Sequence, residues 1–255
     1  HELEEQPAVG RGYRLLCGLV RLWFRLVFRR IRLLHAEVLP SSGAAMLAVS
    51  HPASFRDALI LVAAFERQIH CLLNRKLFRG TLRGSLARGL GMIPYEPEGD
   101  TWPAAVEAAC ALLGKGEAVV VFAEPHLVAG GEPAPLTLAA STIAVEAESR
   151  HSGQLGLAIF PLYLFLPLAR PKTKELLLYV EAPIFPQEHL AAGRGDIPAQ
   201  ARMMATTLLA SFRENAFRLQ PRDIQAFLAD LEEVLRLDLK EDWAGRPNWK
   251  QKVEG

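Results

Sequence analysis

A histidine and an aspartate stand out as the pair best able to do chemistry, in the stretch Ser50-His51-Pro52-Ala53-Ser54-Phe55-Arg56-Asp57. An imidazole within hydrogen-bond reach of a carboxylate is a general base with a fixed tautomer, able to take a proton from a hydroxyl. Pro52 biases His51 toward extended backbone, so the histidine cannot be an interior residue of a helix. On one continuous helix, six positions would also rotate the two side chains about 240° apart. His51 therefore belongs on a strand-to-helix turn, with Asp57 in the first helical turn, at the carboxyl end of a strand where open α/β sheets form their sites. The same residues admit a second account. Ser54 to Asp57 fits a capping box, with Ser54 as the cap and Asp57 reaching back to a backbone N–H. That account explains Ser54 and Asp57 but leaves His51 without a task, and on spacing alone both stay open.

The elements that must position this pair follow from the alternation of apolar runs. Ala44 to Val49 is a continuous apolar run of strand length, as expected in a parallel sheet covered on both faces, and Ala58 to Phe65 continues the helix after Asp57. Strands are expected at Ile69–Leu73, Gly91–Tyr95, Glu117–Phe122, Leu157–Leu166 and Glu175–Glu181. Helices are expected at Leu77–Leu90, Pro103–Leu113, Leu136–Glu148, Asp196–Phe217 and Pro221–Leu239. The pattern predicts an α/β fold, a mainly parallel mixed sheet flanked by helices, with an N-terminal amphipathic helix and a C-terminal helical extension. The expected division is 1–39 for the helix, 40–185 for the catalytic α/β domain and 186–255 for the extension.

The 255 residues, half of them hydrophobic, suffice for one substantial core, and a net charge of +1 excludes the global field of a nucleic-acid binder. Charge is unevenly placed. Residues 11–32 carry seven arginines and no acid, whereas 223–242 is mostly acidic. Tyr13 to Leu34 reads as one long helix with Arg14, Arg21, Arg25 and Arg32 spaced by seven, four and seven, hence on one face. Basic residues opposite Trp, Phe and Leu make the composition of a helix lying in a membrane interface, with Arg14, Arg21, Trp23, Arg25 and Phe28 as contacts. The alternative is a core helix whose arginines snorkel or pair elsewhere. No signal peptide is visible, and the longest uncharged apolar run, Leu155 to Ala169, is too short to span a bilayer. Three widely spaced cysteines argue against a disulfide framework or zinc cage and favour a reducing, cytosol-facing location. No Gly-x-Ser-x-Gly elbow, dinucleotide fingerprint or phosphate loop is present.

The order of motifs resembles the glycerolipid acyltransferase family, the PlsC-type lysophosphatidic-acid and glycerol-3-phosphate acyltransferases. Ser50 to Leu59 is similar to the branch with five residues between His and Asp. Arg75-Lys76-Leu77-Phe78 and Gly91-Met92-Ile93-Pro94-Tyr95 are similar to the second block and its basic approach. Val120-Val121-Phe122-Ala123-Glu124-Pro125 is similar to the third block, and Ile159-Phe160-Pro161-Leu162 to the fourth. Four blocks in order are more specific than any one alone.

The resemblance implies that His51 takes the proton of an acceptor hydroxyl while Asp57 steadies the imidazolium. The hydroxyl then attacks the thioester of acyl-CoA or acyl-carrier protein, with no covalent acyl-enzyme, no cofactor and no metal. It implies a lysophospholipid or glycerol-phosphate-like acceptor and peripheral attachment to the cytoplasmic face of a membrane. Glu124 would hydrogen-bond the acceptor's hydroxyls; a carboxylate directly after a buried run is costly unless it is used, the plain alternative being an exposed loop acid. The third block departs from the family pattern at Ala123 and Pro125, and Glu96 or Pro97 stands where an arginine often grips the acceptor phosphate. Arg75, Lys76 or Arg79 could serve as that clamp. The competing reading is a catalytically degenerate relative that binds lipid or a partner without chemistry, motivated by the altered third block and the acidic C-terminal segment.

Overall fold

The computed structural model describes residues 11–27, 30–50, 54–96, 101–123, 133–165, 175–190 and 196–216. Its centre is a sheet of seven strands in the order β1-β7-β6-β2-β5-β3-β4. In chain order these are β1 (Arg30–Leu34), β2 (Ala45–Ser50), β3 (Ile69–Asn74), β4 (Ile93–Tyr95), β5 (Ala118–Ala123), β6 (Ala158–Phe165) and β7 (Glu175–Val180). Strands β6, β2, β5, β3 and β4 are mutually parallel; β7 runs antiparallel to β6, and β1 lies parallel to β7. The sheet is mixed and mainly parallel, as the alternation of apolar runs predicts.

Helices cover both faces. On one lie α1 (Arg11–Val27), α2 (Phe55–Ala64) and α3 (Thr81–Gly89), packed on Leu47, Val49, Cys71, Leu73, Val120 and Phe122. On the other lie α4 (Trp102–Gly114), α5 (Pro135–Arg150) and α7 (Ile197–Ala216), packed on Met46, Ala48, Val119, Val121 and Ile159; the short α6 (Gln187–Leu190) leads into α7. Alternate residues of one strand thus feed two separate cores, the period-two geometry of a strand buried on both sides. Met204, Leu208 and Phe212 of α7 are buried in the second core. The first half of the C-terminal extension is therefore integral to the fold, and 217–255, with the acidic helix expected there, lies outside the described residues.

Two expectations need correction. The helix read as Tyr13–Leu34 stops at Val27, and Arg30–Leu34 is an edge strand registered from Arg30↔Glu175 to Leu34↔Tyr179. Arg30-Ile31-Arg32 alternates polar and apolar, so its period of two was absorbed into the run of arginines before it, while pairing with β7 satisfies a backbone a longer helix would have satisfied internally. The helix read as Leu77–Leu90 is likewise divided. A 3-10 turn, Arg75–Phe78, precedes Gly80 at φ +97°, and α3 begins only at Thr81. Gly80 adopts a backbone conformation that residues with a Cβ rarely enter, which breaks the helix there.

At the amino-terminal edge of the parallel strands a single guanidinium closes the sheet. Arg67 donates to the carbonyl oxygens of Pro40 (3.0 Å), Gly43 (2.8 Å) and Gly116 (3.1 Å). It ties the turn before β2 to the turn before β5. Its planar fork suits three divergent acceptors.

Candidate active site

The opposite, carboxyl-terminal edge carries the candidate chemistry. Ser54, extended at φ −127° and ψ 153°, is the N-cap of α2, and its Oγ accepts the backbone N–H of Asp57 at 3.1 Å. The capping half of the sequence reading is therefore present. It engages the amide of Asp57, not its carboxylate. The Asp57 side chain is fully buried, in the first turn of α2, where the helix dipole favours a negative charge. Arg56 Nε lies 3.4 Å from Asp57 Oδ1, but the Arg56 side chain is mostly exposed, so this loose contact between chain neighbours stabilises the carboxylate little. Its full burial sets Asp57 apart from an ordinary surface cap, whose side chain stays in water.

Strand register brings two segments to this edge together. β2 and β5 are adjacent and parallel, and their last residues, Ser50 and Ala123, are register partners. In the chain His51 directly follows Ser50, and Glu124 directly follows Ala123. His51 and Glu124 themselves lie outside the described residues, as does Pro97; Glu96 is half-buried just after β4.

The three basic candidates lie one strand beyond β5. Arg75, Lys76 and Arg79 are all exposed, in and just after the 3-10 turn that follows β3. Asn74 sets this turn, its Oδ1 accepting the Lys76 backbone N–H at 3.0 Å. Sequence reasoning passed over Asn74, although an Asn just before a chain reversal is a recognisable signal. The strand order separates β3 from β2 by two steps, roughly 10 Å at about 4.8 Å per strand, within reach of extended Arg and Lys side chains.

Of the expected membrane contacts, Trp23 is exposed and Arg21 is not available. Arg21 is half-buried and donates to the carbonyl oxygens of Phe65 (2.6 Å) and Glu66 (3.2 Å), capping the C-terminal end of α2. Arg21 is thus corrected from a lipid contact to a structural tie, because the last carbonyls of a helix lack intrahelical donors and draw a nearby cation. The side chains of Arg14 and Arg25, and Phe28 altogether, lie outside the described residues. The large exposed side chains described on α1 are apolar: Leu15, Leu19, Leu22, Trp23 and Leu26 follow helical spacing, with Leu15 and Leu26 each at least 70% exposed. Cys17, Val20 and Phe24 form the opposite, buried face. No helix among the described residues is long and apolar enough to cross a membrane.

The cysteines offer no competing nucleophile. Cys17, Cys71 and Cys110 are free and buried, and burial pushes the Cys71 thiol up to about 12 and that of Cys110 to about 11. Thiols so far from ionisation at neutral pH do not attack thioesters readily. Among the described residues no group of three or more His, Cys, Asp or Glu side chains gathers as a metal site would require.

Comparison with known proteins gives a family and a fold. No curated protein matches the sequence significantly. Among solved structures, the chain is similar to the 1-acyl-sn-glycerophosphate (LPA) acyltransferase PlsC from Thermotoga maritima, with 15% identity and a TM-score of 0.52 over 82% of this chain and 81% of that one. At that identity the likeness is one of fold. The Acyltransferase family model matches residues 30–164, from the first residue of β1 nearly to the end of β6. That span is more than half of the 255 residues and includes the His51–Asp57 segment, the Arg75 turn and the β5 end, so the chain belongs to the acyltransferase family and is an acyltransferase enzyme.

Proposed function

We propose that this acyltransferase moves a fatty acyl group from the thioester of acyl-CoA or acyl-carrier protein to a hydroxyl of a lysophospholipid or glycerol-phosphate-like acceptor, with His51 as general base. One observation carries this reading: Asp57 is fully buried at the start of α2, at the edge where Ser50 and Ala123 end as register partners. One peptide unit fixes the Cα of His51 about 3.8 Å from that of Ser50, and Glu124 is tied to Ala123 in the same way. The adjacency of Ser50 and Ala123, with His51 and Glu124 next in the chain, supports a reading in which the base, its carboxylate partner and a second carboxylate share this edge.

The His51 imidazole removes the acceptor hydroxyl proton as the oxygen attacks the thioester carbonyl carbon. The tetrahedral intermediate collapses with cleavage of the C–S bond. The imidazolium returns its proton to the departing thiolate, leaving an ester and a free thiol, with no net change at the enzyme. Asp57 is a positioning residue that holds the imidazole tautomer and steadies the imidazolium. Glu124 orients the acceptor's hydroxyls, and Arg75, Lys76 and Arg79 face its phosphate, a role suited to exposed cations on a turn beside the edge. The enzyme works as a peripheral protein at the cytoplasmic face of a membrane, where α1 offers a stripe of exposed leucines and Trp23 to the bilayer.

The test is transfer of labelled acyl groups, from CoA and from carrier protein, to a panel of lysolipids and glycerol phosphate. With the preferred pair, His51→Ala is expected to lower kcat on the order of 10²- to 10⁴-fold without loss of folding. A His51→Ala enzyme within a few-fold of wild type would remove His51 as the base.

A further inference from the structure

α3 and the turn before it form a strongly cationic part of the described surface. From Asn74 to Tyr95 there is no acid, and Arg75, Lys76, Arg79, Arg83 and Arg88 are all exposed. None of the five pairs with an acid among the described residues. An apolar side chain stands in the middle of this charge: Leu82 is 85% exposed, the most exposed large hydrophobic residue described. At about 100° per residue, Leu82, Leu86 and Gly89 share one line of α3, with Arg83 on one side and Arg88 on the other. That line meets α1. A Cβ at Gly89 would lie 3.0 Å from Leu16 Cδ2, so the absent side chain lets α1 seat closely on α3. Leu16 directly follows Leu15, the first residue of the exposed leucine stripe.

We infer that α3 is a second bilayer contact, continuous with α1, and that it selects anionic lipid headgroups. The inference rests on the proposed membrane association and deepens it by naming the lipid class and the element that reads it. The two helices divide the labour. α1 presents exposed leucines and Trp23 for insertion. α3 presents one insertable leucine flanked by cations, the arrangement that draws a surface helix to negatively charged lipid. An acidic protein would also match the charge, but the contact of Gly89 with Leu16 beside the leucine stripe joins cations and exposed apolar side chains on neighbouring helices, the combination an anionic bilayer surface takes up.

The test is flotation of the full chain with vesicles of neutral phosphatidylcholine and with vesicles containing phosphatidylglycerol, at low and high salt. Arg83→Glu/Arg88→Glu, Leu82→Ser and Leu19→Ser/Leu22→Ser are compared with wild type, with folding checked by circular dichroism. Wild type should prefer the anionic vesicles and lose that preference in high salt. The double arginine variant should lose on the order of thirtyfold in affinity for anionic vesicles and little for neutral ones. Leu82→Ser should weaken binding to both by roughly tenfold or more. The α1 variant should weaken binding to both while keeping the anionic preference. Unchanged anionic binding by the double arginine variant overturns the role of α3 and leaves that of α1 standing; if that variant instead loses activity only with carrier-protein donors, the cations dock an acidic protein. Wild type that floats with neither vesicle overturns both readings.

Discussion

Whether Asp57 serves the helix, the base, or both can be decided by separating its capped amide from its buried carboxylate, two groups that different substitutions remove. Ser54 Oγ takes the Asp57 amide, so Ser54→Ala removes the cap and leaves the carboxylate, whereas Asp57→Asn removes the charge and leaves the cap. Loss of a serine cap should cost about 1 kcal/mol, read as a lower urea midpoint. The charge of an acid in the first turn is worth about 0.3–1 kcal/mol to the helix, so Asp57→Asn should cost no more than Ser54→Ala in stability. Activity should divide in the opposite way. Asparagine can hold the wrong imidazole tautomer and cannot steady an imidazolium, so kcat should fall on the order of 10²- to 10⁴-fold, about 3–5 kcal/mol of lost transition-state stabilisation. The acid limb of the pH–rate profile should also move. If Asp57 is the partner of His51, as proposed, it favours the charged imidazole, and without it the limb should move to lower pH. Steady-state kinetics from pH 5 to 9 with an acyl-CoA donor gives both readouts. Equal and modest activity losses in the two variants, with an unmoved acid limb, would mean that Asp57 is only part of a helix start.

Two further predictions concern the frame that holds this edge. Arg67→Ala frees three carbonyls that share one guanidinium, and should destabilise the protein by about 2 kcal/mol or more; Arg67→Lys should recover less than half of that, because an ammonium cannot fork to Pro40, Gly43 and Gly116. Urea titrations of the three proteins check it. His70 is buried with its Nδ1 2.8 Å from the Gly91 carbonyl oxygen, and burial holds its pKa below the usual histidine value. The unfolded chain therefore binds the proton more readily. The stability His70 contributes is fully present above about pH 6.5 and is lost as pH falls through the lower folded pKa. Stability curves of wild type and His70→Asn between pH 4.5 and 8 should converge in slope at the alkaline end and diverge at the acid end, wild type having the steeper fall.

What the sequence made legible was whatever depended on chain-local rules. Pro52 and the six-residue spacing put Asp57 in a first helical turn after a strand, and Phe55–Ala64 is that helix. The apolar runs at 44–49 and 117–122 emerge as adjacent central strands because strands buried on both faces need no alternation. What stayed hidden depended on partners distant in the chain. The strand Arg30–Leu34 exists because β7, some 145 residues later, offers an edge to pair with. Arg21 resembles its neighbours in the sequence and differs only because the end of α2 lies beneath it. The same burial splits the apolar residues of α1: Val20 and Phe24 face the core, whereas Leu19 and Leu22 face outward, a division no helical wheel of hydrophobic residues can assign.

The corrected role of Arg21 also links the two halves of the proposed function. α2 has ten residues, about 15 Å of helix, with Asp57 at its amino end and the Arg21-bound carbonyls of Phe65 and Glu66 just past its carboxyl end. Ala58, Ile60, Leu61 and Val62 lock it onto the sheet between them. A helix fixed along its length cannot change the distance between its ends without breaking core contacts. If α1 lies at the bilayer surface, as proposed, α2 sets the position of the Asp57 carboxylate relative to the lipid. An acceptor that stays partly embedded while its hydroxyl reacts needs that position held constant. Loosening the far end of α2 through Arg21 would then disturb presentation of the membrane-bound acceptor more than reaction of a soluble one, although Arg21 contacts neither substrate.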